Sequence, residues 1–320
     1  MQGALLTSPT PVPPPAVESP QVSAIHRPST PDLVVLAVAL CAVGASGPLI
    51  AATAAPALAI AFWRNVIGAG ALAPFAFWRH LGEFRSLRRA EWLAALAAGL
   101  ALGGHFAAWT SSLTMTSVAS ATAFAAAQPI FAAFIARARG DRVSARAWAG
   151  IVVATVGVVA LSSADLHVSG RAFAGDLVAL LAGALAAVYM TFGARVRQTV
   201  SLTPYAVICY GTAALVLGLA ALATGQRLTG LSGDAWIKIL VLTATAQLLG
   251  HTLFNRVLKT TSATVVSAAI LLEVPVAALI AALWLGQVPS WTAIPGALLI
   301  LAGLEVVATS NGRARPRRRR

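Results

Sequence analysis

The second half of this chain repeats the first at a constant offset of 146 residues. Without a gap, Gly104 falls on Gly250, His105 on His251, Pro129 on Pro275 and Gly140 on Gly286. Ser144 then falls on Ser290, Gly150 on Gly296 and Gly157 on Gly303. Each copy holds five apolar stretches long enough to cross a bilayer. Five is odd, so the second copy must enter the membrane from the opposite side. The expected fold class is an all-α polytopic membrane protein, with ten transmembrane helices arranged as two inverted five-helix repeats. Tandem repeats of inverted topology are characteristic of secondary transporters.

Composition agrees with that class. Of 320 residues, 58% are hydrophobic and 10% charged, with a mean hydropathy of +0.80. That is too little charge to cover a soluble surface. The apolar runs of about 18–25 residues match a hydrocarbon core at about 1.5 Å of rise per helical residue. A transmembrane β-barrel would alternate with period two, whereas these runs are continuous. The spans lie near 33–52, 57–78, 92–112, 116–136, 146–163, 174–194, 203–223, 236–256, 261–285 and 291–309.

The net charge of +13 suggests an acidic partner until its placement is considered. With the N-terminus inside, 19 of the 23 Lys and Arg residues fall on the cytoplasmic side. They are Arg27, the 79–89 and 137–146 clusters, Arg195, Arg197, Arg256, Lys259 and the C-terminal run from Arg313. Only Arg171, Arg227 and Lys238 face outward, and Arg64 lies inside a span. The positive-inside rule then sets both termini in the cytoplasm of a multi-pass cytoplasmic-membrane protein. The basic excess is a topology signal, and no nucleic-acid partner is expected.

Residues 1–31 are rich in Pro, Ser and Thr and read as a disordered cytoplasmic tail. They lack the basic and apolar regions of a secretory signal. The first repeat occupies 32–163, a linker 164–173, the second repeat 174–310 and a basic cytoplasmic tail 311–320. Cys41 and Cys209 both sit in spans and read as small buried thiols. No disulfide framework or metal-ligand spacing is present, and no cofactor is expected. Connections between spans are too short for a soluble domain. There is no nucleotide-binding loop and no metalloprotease or serine-hydrolase motif, so the chain reads as a non-enzyme. Its function must reside in the membrane bundle.

Charged groups at membrane depth are costly and mark functional sites by default. Glu273, in Leu271-Leu272-Glu273-Val274-Pro275, sits near the middle of the ninth span. A carboxyl there can bind a cationic solute group, exchange a coupling proton, or serve as a hydrogen-bonded structural carboxyl. Arg64, in Phe62-Trp63-Arg64-Asn65, can hold a solute carboxylate or an anionic headgroup, or extend to the external interface. His105 and His251 occupy equivalent repeat positions and can relay protons or serve structurally. Trp63, Trp109, Gln128, Tyr189, Tyr210, Gln247 and Asn255 complete the candidate lining. Asp176 and Glu305, near span ends, read as solvated or capping.

These segments resemble the EamA-type ten-helix branch of the drug/metabolite transporter superfamily. The likeness runs from about residue 33 to 309. It rests on Ala61-Phe62-Trp63-Arg64, Gly104-His105-Phe106-Ala107-Ala108-Trp109, and Thr116-Ser117-Val118-Ala119 leading to Gln128-Pro129-Ile130-Phe131. It continues through Gly175-Asp176-Leu177-Val178-Ala179-Leu180, Gly250-His251-Thr252-Leu253-Phe254-Asn255 and Leu272-Glu273-Val274-Pro275-Val276. Members often carry an acid after the glycine that ends the fourth and ninth spans. Asp141 fits the first, while Gln287 replaces the second.

The resemblance implies two five-helix bundles around a central cavity, alternating access, and membrane lipids as surroundings. It also implies the export or uptake of small metabolites such as amino acids, or efflux of drug-like compounds. The expected function is export of a small organic solute, with a proton as a candidate coupling ion. A carrier of sugar phosphates or lipid-linked sugars is an alternative, but it would need several cavity cations, and only Arg64 is deep enough. A membrane-embedded enzyme would have to be built on Glu273 with a histidine.

Overall fold

The computed structural model describes residues 29–140, 143–166, 169–261, 266, 270 and 273–310. Every regular element among them is helical. Seven helical stretches are long and apolar enough to cross a membrane, and three shorter apolar helices accompany them. Asp141, Leu271, Leu272, residues 1–28 and residues 311–320 lie outside the described residues.

Helix starts follow local chemistry. A serine hydroxyl caps α1 (Thr30–Gly44), α5 (Val118–Ala125), α8 (Gly170–Val196) and α10 (Gly233–Leu242). Each accepts a backbone N–H of the first turn, which has no partner inside the helix. At the other end, Gly140 and Gly286 have φ of +88° and +67°. They follow α6 (Gln128–Ala138) and α12 (Glu273–Leu285), which are equivalent in the two repeats. A left-handed residue at this point is a common way to stop a helix, and glycine adopts it without strain.

Several expected spans are not single helices. The first is broken between α1 and α2 (Ser46–Ala51), and the fourth between α5 and α6 at Ala126 and Ala127. In the ninth, Glu273 and Pro275 lie on α12. Pro129, the repeat equivalent of Pro275, sits in the first turn of α6, where its missing N–H costs no helix hydrogen bond. The eighth span runs from α10 through a π-helical segment, Thr243–His251, into α11 (Thr252–Val257). The second span, α3 (Ala57–Ser86), continues past its expected end and kinks at His80.

Two expectations are corrected. Cys209 is buried as expected, but Cys41 is exposed, because α1 turns it to the outside of the bundle. Asp176 is not a solvated end residue: it is fully buried and accepts the Thr116 hydroxyl at 2.9 Å. The Gln287 that departs from the family pattern accepts the backbone N–H of Val118 at 3.0 Å, so it tops the N-terminus of α5.

Small residues set the packing. On α4 (Arg89–Ser112), a Cβ on Gly99 would lie 2.8 Å from the Cys209 carbonyl of α9 (Leu202–Ala223). On α7 (Ala145–Leu166), a Cβ on Gly157 would meet the Ile300 nitrogen at 2.5 Å and the Gly296 carbonyl at 2.7 Å, both on α13 (Ala293–Ser310). Reciprocally, a Cβ on Gly303 would meet the Ala154 nitrogen and the Gly150 carbonyl. Gly157 with Gly303, Gly296 with Gly150, and Ile300 with Ala154 are repeat equivalents, so the contact relates the two helices by a two-fold axis. Without a hydrophobic force between helices in lipid, such backbone approach is a main source of association.

Gly157→Val should therefore force α7 and α13 apart and destabilise the protein by about 1–3 kcal/mol. Gly70→Ala, on α3 with open space around it, should be neutral or stabilising by up to about 1 kcal/mol. Thermal unfolding of detergent-purified protein checks both.

Candidate functional site

The helix breaks converge on one cavity. Ser46 comes from the α1–α2 break, Ala125, Ala126 and Gln128 from the α5–α6 break, and Glu273 from α12. α4 adds His105, Phe106 and Trp109; α8 adds Ala186, Tyr189 and Met190. The π segment adds His251, and α11 adds Phe254. Interrupted helices at a cavity let backbone polar groups face a lumen where an unbroken helix would hide them.

The lining reflects the repeat. His105 and His251 are equivalents, as are Val43 and Tyr189, and all four face the cavity. The two imidazole centroids are 6.4 Å apart. His105 Nδ1 lies 2.9 Å from the Ala182 carbonyl. A carbonyl only accepts, so this nitrogen carries the proton. His251 Nδ1 has no hydrogen-bond partner among the described residues.

Behind this lining lies a buried polar network anchored on Arg64, whose side chain is fully buried. The extended, interface-seeking conformation open to it in sequence is thus not adopted. Arg64 Nε donates to Gln247 Oε1 at 3.1 Å. Gln247 Nε2 donates to Asn65 Oδ1 at 3.1 Å, and Asn65 Nδ2 to the Ala61 carbonyl at 2.8 Å. The guanidinium carbon sits 4.1 Å from the centroid of Phe106, a cation–π contact. Phe106 in turn meets His251 edge-on, with centroids 5.2 Å apart. Arg64 is close enough to interact electrostatically with Glu273, His105 and His251. It forms none of the ion pairs found among the described residues, and Nη1 and Nη2 have no hydrogen-bond partner there.

The network continues beyond the cavity. Tyr210 sits with its hydroxyl 3.4 Å from the Gln247 carbonyl and 3.3 Å from Thr252 Oγ1. Tyr189 donates to Asn255 Oδ1 at 2.6 Å. The Asn255 carbonyl accepts Arg197 Nε at 3.2 Å, and Arg197 also donates to the Val200 carbonyl.

Six sequence candidates are thus brought together as cavity lining: Glu273, His105, His251, Trp109, Gln128 and Tyr189. Arg64, Tyr210, Gln247 and Asn255 form the layer behind them. Trp63 belongs to neither: its Nε1 donates to the Leu228 carbonyl at 2.7 Å, and its ring packs on Phe62 and Trp236. Phe106, Asn65 and Thr252 were not singled out from sequence. Each adjoins a residue that was, and an apolar ring or a small polar group carries no signal of its own. No group of three or more His, Cys, Asp or Glu side chains suited to a metal comes together among the described residues.

The profile of the EamA-like transporter family matches residues 30–163 and again 173–309. The chain belongs to the EamA-like transporter family. That family is part of the drug/metabolite transporter superfamily, so this EamA-like chain is a multi-pass membrane transporter. No curated protein matches it significantly. Among solved structures, 27 chains are significantly similar. One, described only as a crystal structure of a protein, shares 18% of its residues at a TM-score of 0.65, covering 87% of this chain and 97% of its own. At that identity the likeness is one of fold.

Tyr189→Phe should leave Asn255 Oδ1 without its buried donor and cost about 1–3 kcal/mol of stability. Trp63→Phe, outside the cavity, should leave solute affinity unchanged. Thermal unfolding and ligand titration of the purified EamA-like protein check the pair.

Proposed function

We propose that this protein is a secondary transporter that exports a small organic solute bearing a carboxylate and an amine, such as an amino acid, across the cytoplasmic membrane. The repeats are taken as 32–163 and 174–310, each with five spans of opposite orientation, and both termini are cytoplasmic. Transport proceeds by alternating access, the repeats rocking about the cavity so that it opens to one side at a time.

The observation that carries this reading is a buried cation, Arg64, whose Nη1 and Nη2 have no hydrogen-bond partner among the described residues, set behind an aromatic-walled cavity that an acid, Glu273, lines. A guanidinium end offers a carboxylate two parallel hydrogen bonds. Glu273, on α12, is the matching site for an ammonium group or a coupling proton. Phe106 lies between the guanidinium and the cavity, so a solute reaches Arg64 as this ring gives way. Trp109, Tyr189 and Phe254 offer apolar surface to the rest of the solute. A phosphorylated cargo is disfavoured because its charge would need more than one cation, and no other Lys or Arg adjoins this cavity among the described residues.

Counterflow in proteoliposomes tests the proposal, with a panel of the common L-amino acids loaded inside. Wild type should exchange at least one of them. Glu273→Gln and Arg64→Ala should each lower the rate about tenfold or more, equivalent to about 1.4 kcal/mol or more of lost stabilisation. Unchanged exchange by both variants, with the fold intact, would sink this reading.

A further inference from the structure

The reading above makes Arg64 the receptor for an anionic group, and a second question is what aims it. An arginine presents a carboxylate with two bidentate faces. One pairs Nε with a neighbouring Nη, and the other pairs the two Nη atoms. Gln247 Oε1 lies 3.1 Å from Nε, so the first face is taken. Phe106 packs 4.1 Å from the guanidinium carbon. The Gln247 contact engages Nε, and Nη1 and Nη2 have no hydrogen-bond partner among the described residues.

The amide of Gln247 is itself held in one sense. Arginine only donates, so the Gln247 oxygen must face Nε and its nitrogen must face away. That nitrogen meets Asn65 Oδ1 at 3.1 Å, and the Asn65 nitrogen ends on the Ala61 carbonyl at 2.8 Å. Every hydrogen bond in this chain thus has a single permitted direction. A neutral amide also engages Arg64 without cancelling its charge, which a carboxylate at this position would do. Gln247 and Asn65 are both fully buried, and Gln247 is not part of the cavity wall. The repeat supplies a contrast: the residue equivalent to Gln247 is Ala101, and the one equivalent to Arg64 is Tyr210. The brace occurs only beside the cation.

We propose that Gln247, braced by Asn65, is a positioning residue that holds the Arg64 guanidinium with its terminal fork free for the solute carboxylate, and thereby sets the selectivity for carboxylates over their neutral counterparts. This rests on the reading of Arg64 as carboxylate receptor. Its substance is the charge-neutral engagement of Nε.

The test measures binding of the L-amino acid panel and of the matching L-amino acid amides to detergent-purified wild type, Gln247→Glu, Gln247→Leu and Arg64→Ala. Thermal unfolding reports the fold of each. Gln247→Glu keeps an acceptor for Nε, so the protein should remain folded. Its negative charge should weaken binding of the acids about tenfold or more while leaving the amides within about twofold. Gln247→Leu should lose the preference for acids over amides. Arg64→Ala should weaken the acids in the same way. If Arg64→Ala weakens acids selectively while both Gln247 variants keep wild-type selectivity, this inference is overturned and the receptor reading stands. An equal loss for acids and amides in folded Gln247→Glu points to a general structural role and also overturns it. Binding of no acid by wild type removes the receptor reading and this inference together.

Discussion

The structure is organised around a fully buried arginine, Arg64, that forms no ion pair among the described residues. In a low-dielectric interior an isolated guanidinium carries a large desolvation cost, and the fold must either neutralise it or hold it with dipoles. Here it is held by dipoles: an amide oxygen at Nε and the face of an aromatic ring. The helices that supply those groups are consequently fixed with respect to one another. α3 carries Arg64 and Asn65, the π segment carries Gln247, and α4 carries Phe106. The π segment's backbone adapts as well, with the hydroxyls of Thr252 and Tyr210 both close to the Gln247 carbonyl. π-helical turns recur where a helix must aim side chains that an α-helix would direct elsewhere.

The repeat provides a symmetric frame on which asymmetric chemistry has been placed. His105 and His251 meet across the cavity, and α7 and α13 cross through equivalent glycines. Yet Arg64 corresponds to Tyr210, Glu273 to Ala127, and Gln247 to Ala101. The cation, its Gln247 brace and the acid occupy three different repeat positions, each without a counterpart of its own kind. An internal duplication thus explains where the cavity lies. Departures from duplication explain what it can bind.

Much of this was legible in the sequence because the membrane removes alternatives. Continuous apolar runs have to be helices, and a charge within one has to be exceptional. That logic singled out Arg64, Glu273 and the two histidines. It could not show that Gln247 faces Arg64 across 183 positions of sequence separation, because neither helix position encodes its neighbour. It misjudged Asp176, which sits near a span end by counting but is sealed by Thr116. It also grouped Trp63 with the cavity as an aromatic group at membrane depth. Consecutive helical residues point about 100° apart, and Trp63 turns to Leu228 while Arg64 turns inward. Helix breaks were partly legible, since Pro129 marks the start of α6. The π segment has no comparable residue to announce it.

The crossing of α7 and α13 has one more consequence. Each helix presents to the other a glycine at the equivalent position, Gly157 on α7 and Gly303 on α13, against equivalent backbone atoms. If the two halves of the molecule were to exchange shapes, every contact between unlike positions would be remade, but this one would map onto itself. A fulcrum has the same property: it is the point that stays put while the arms trade places. Gly157 and Gly303 bring backbone onto backbone there, with no Cβ of either glycine between the two helices.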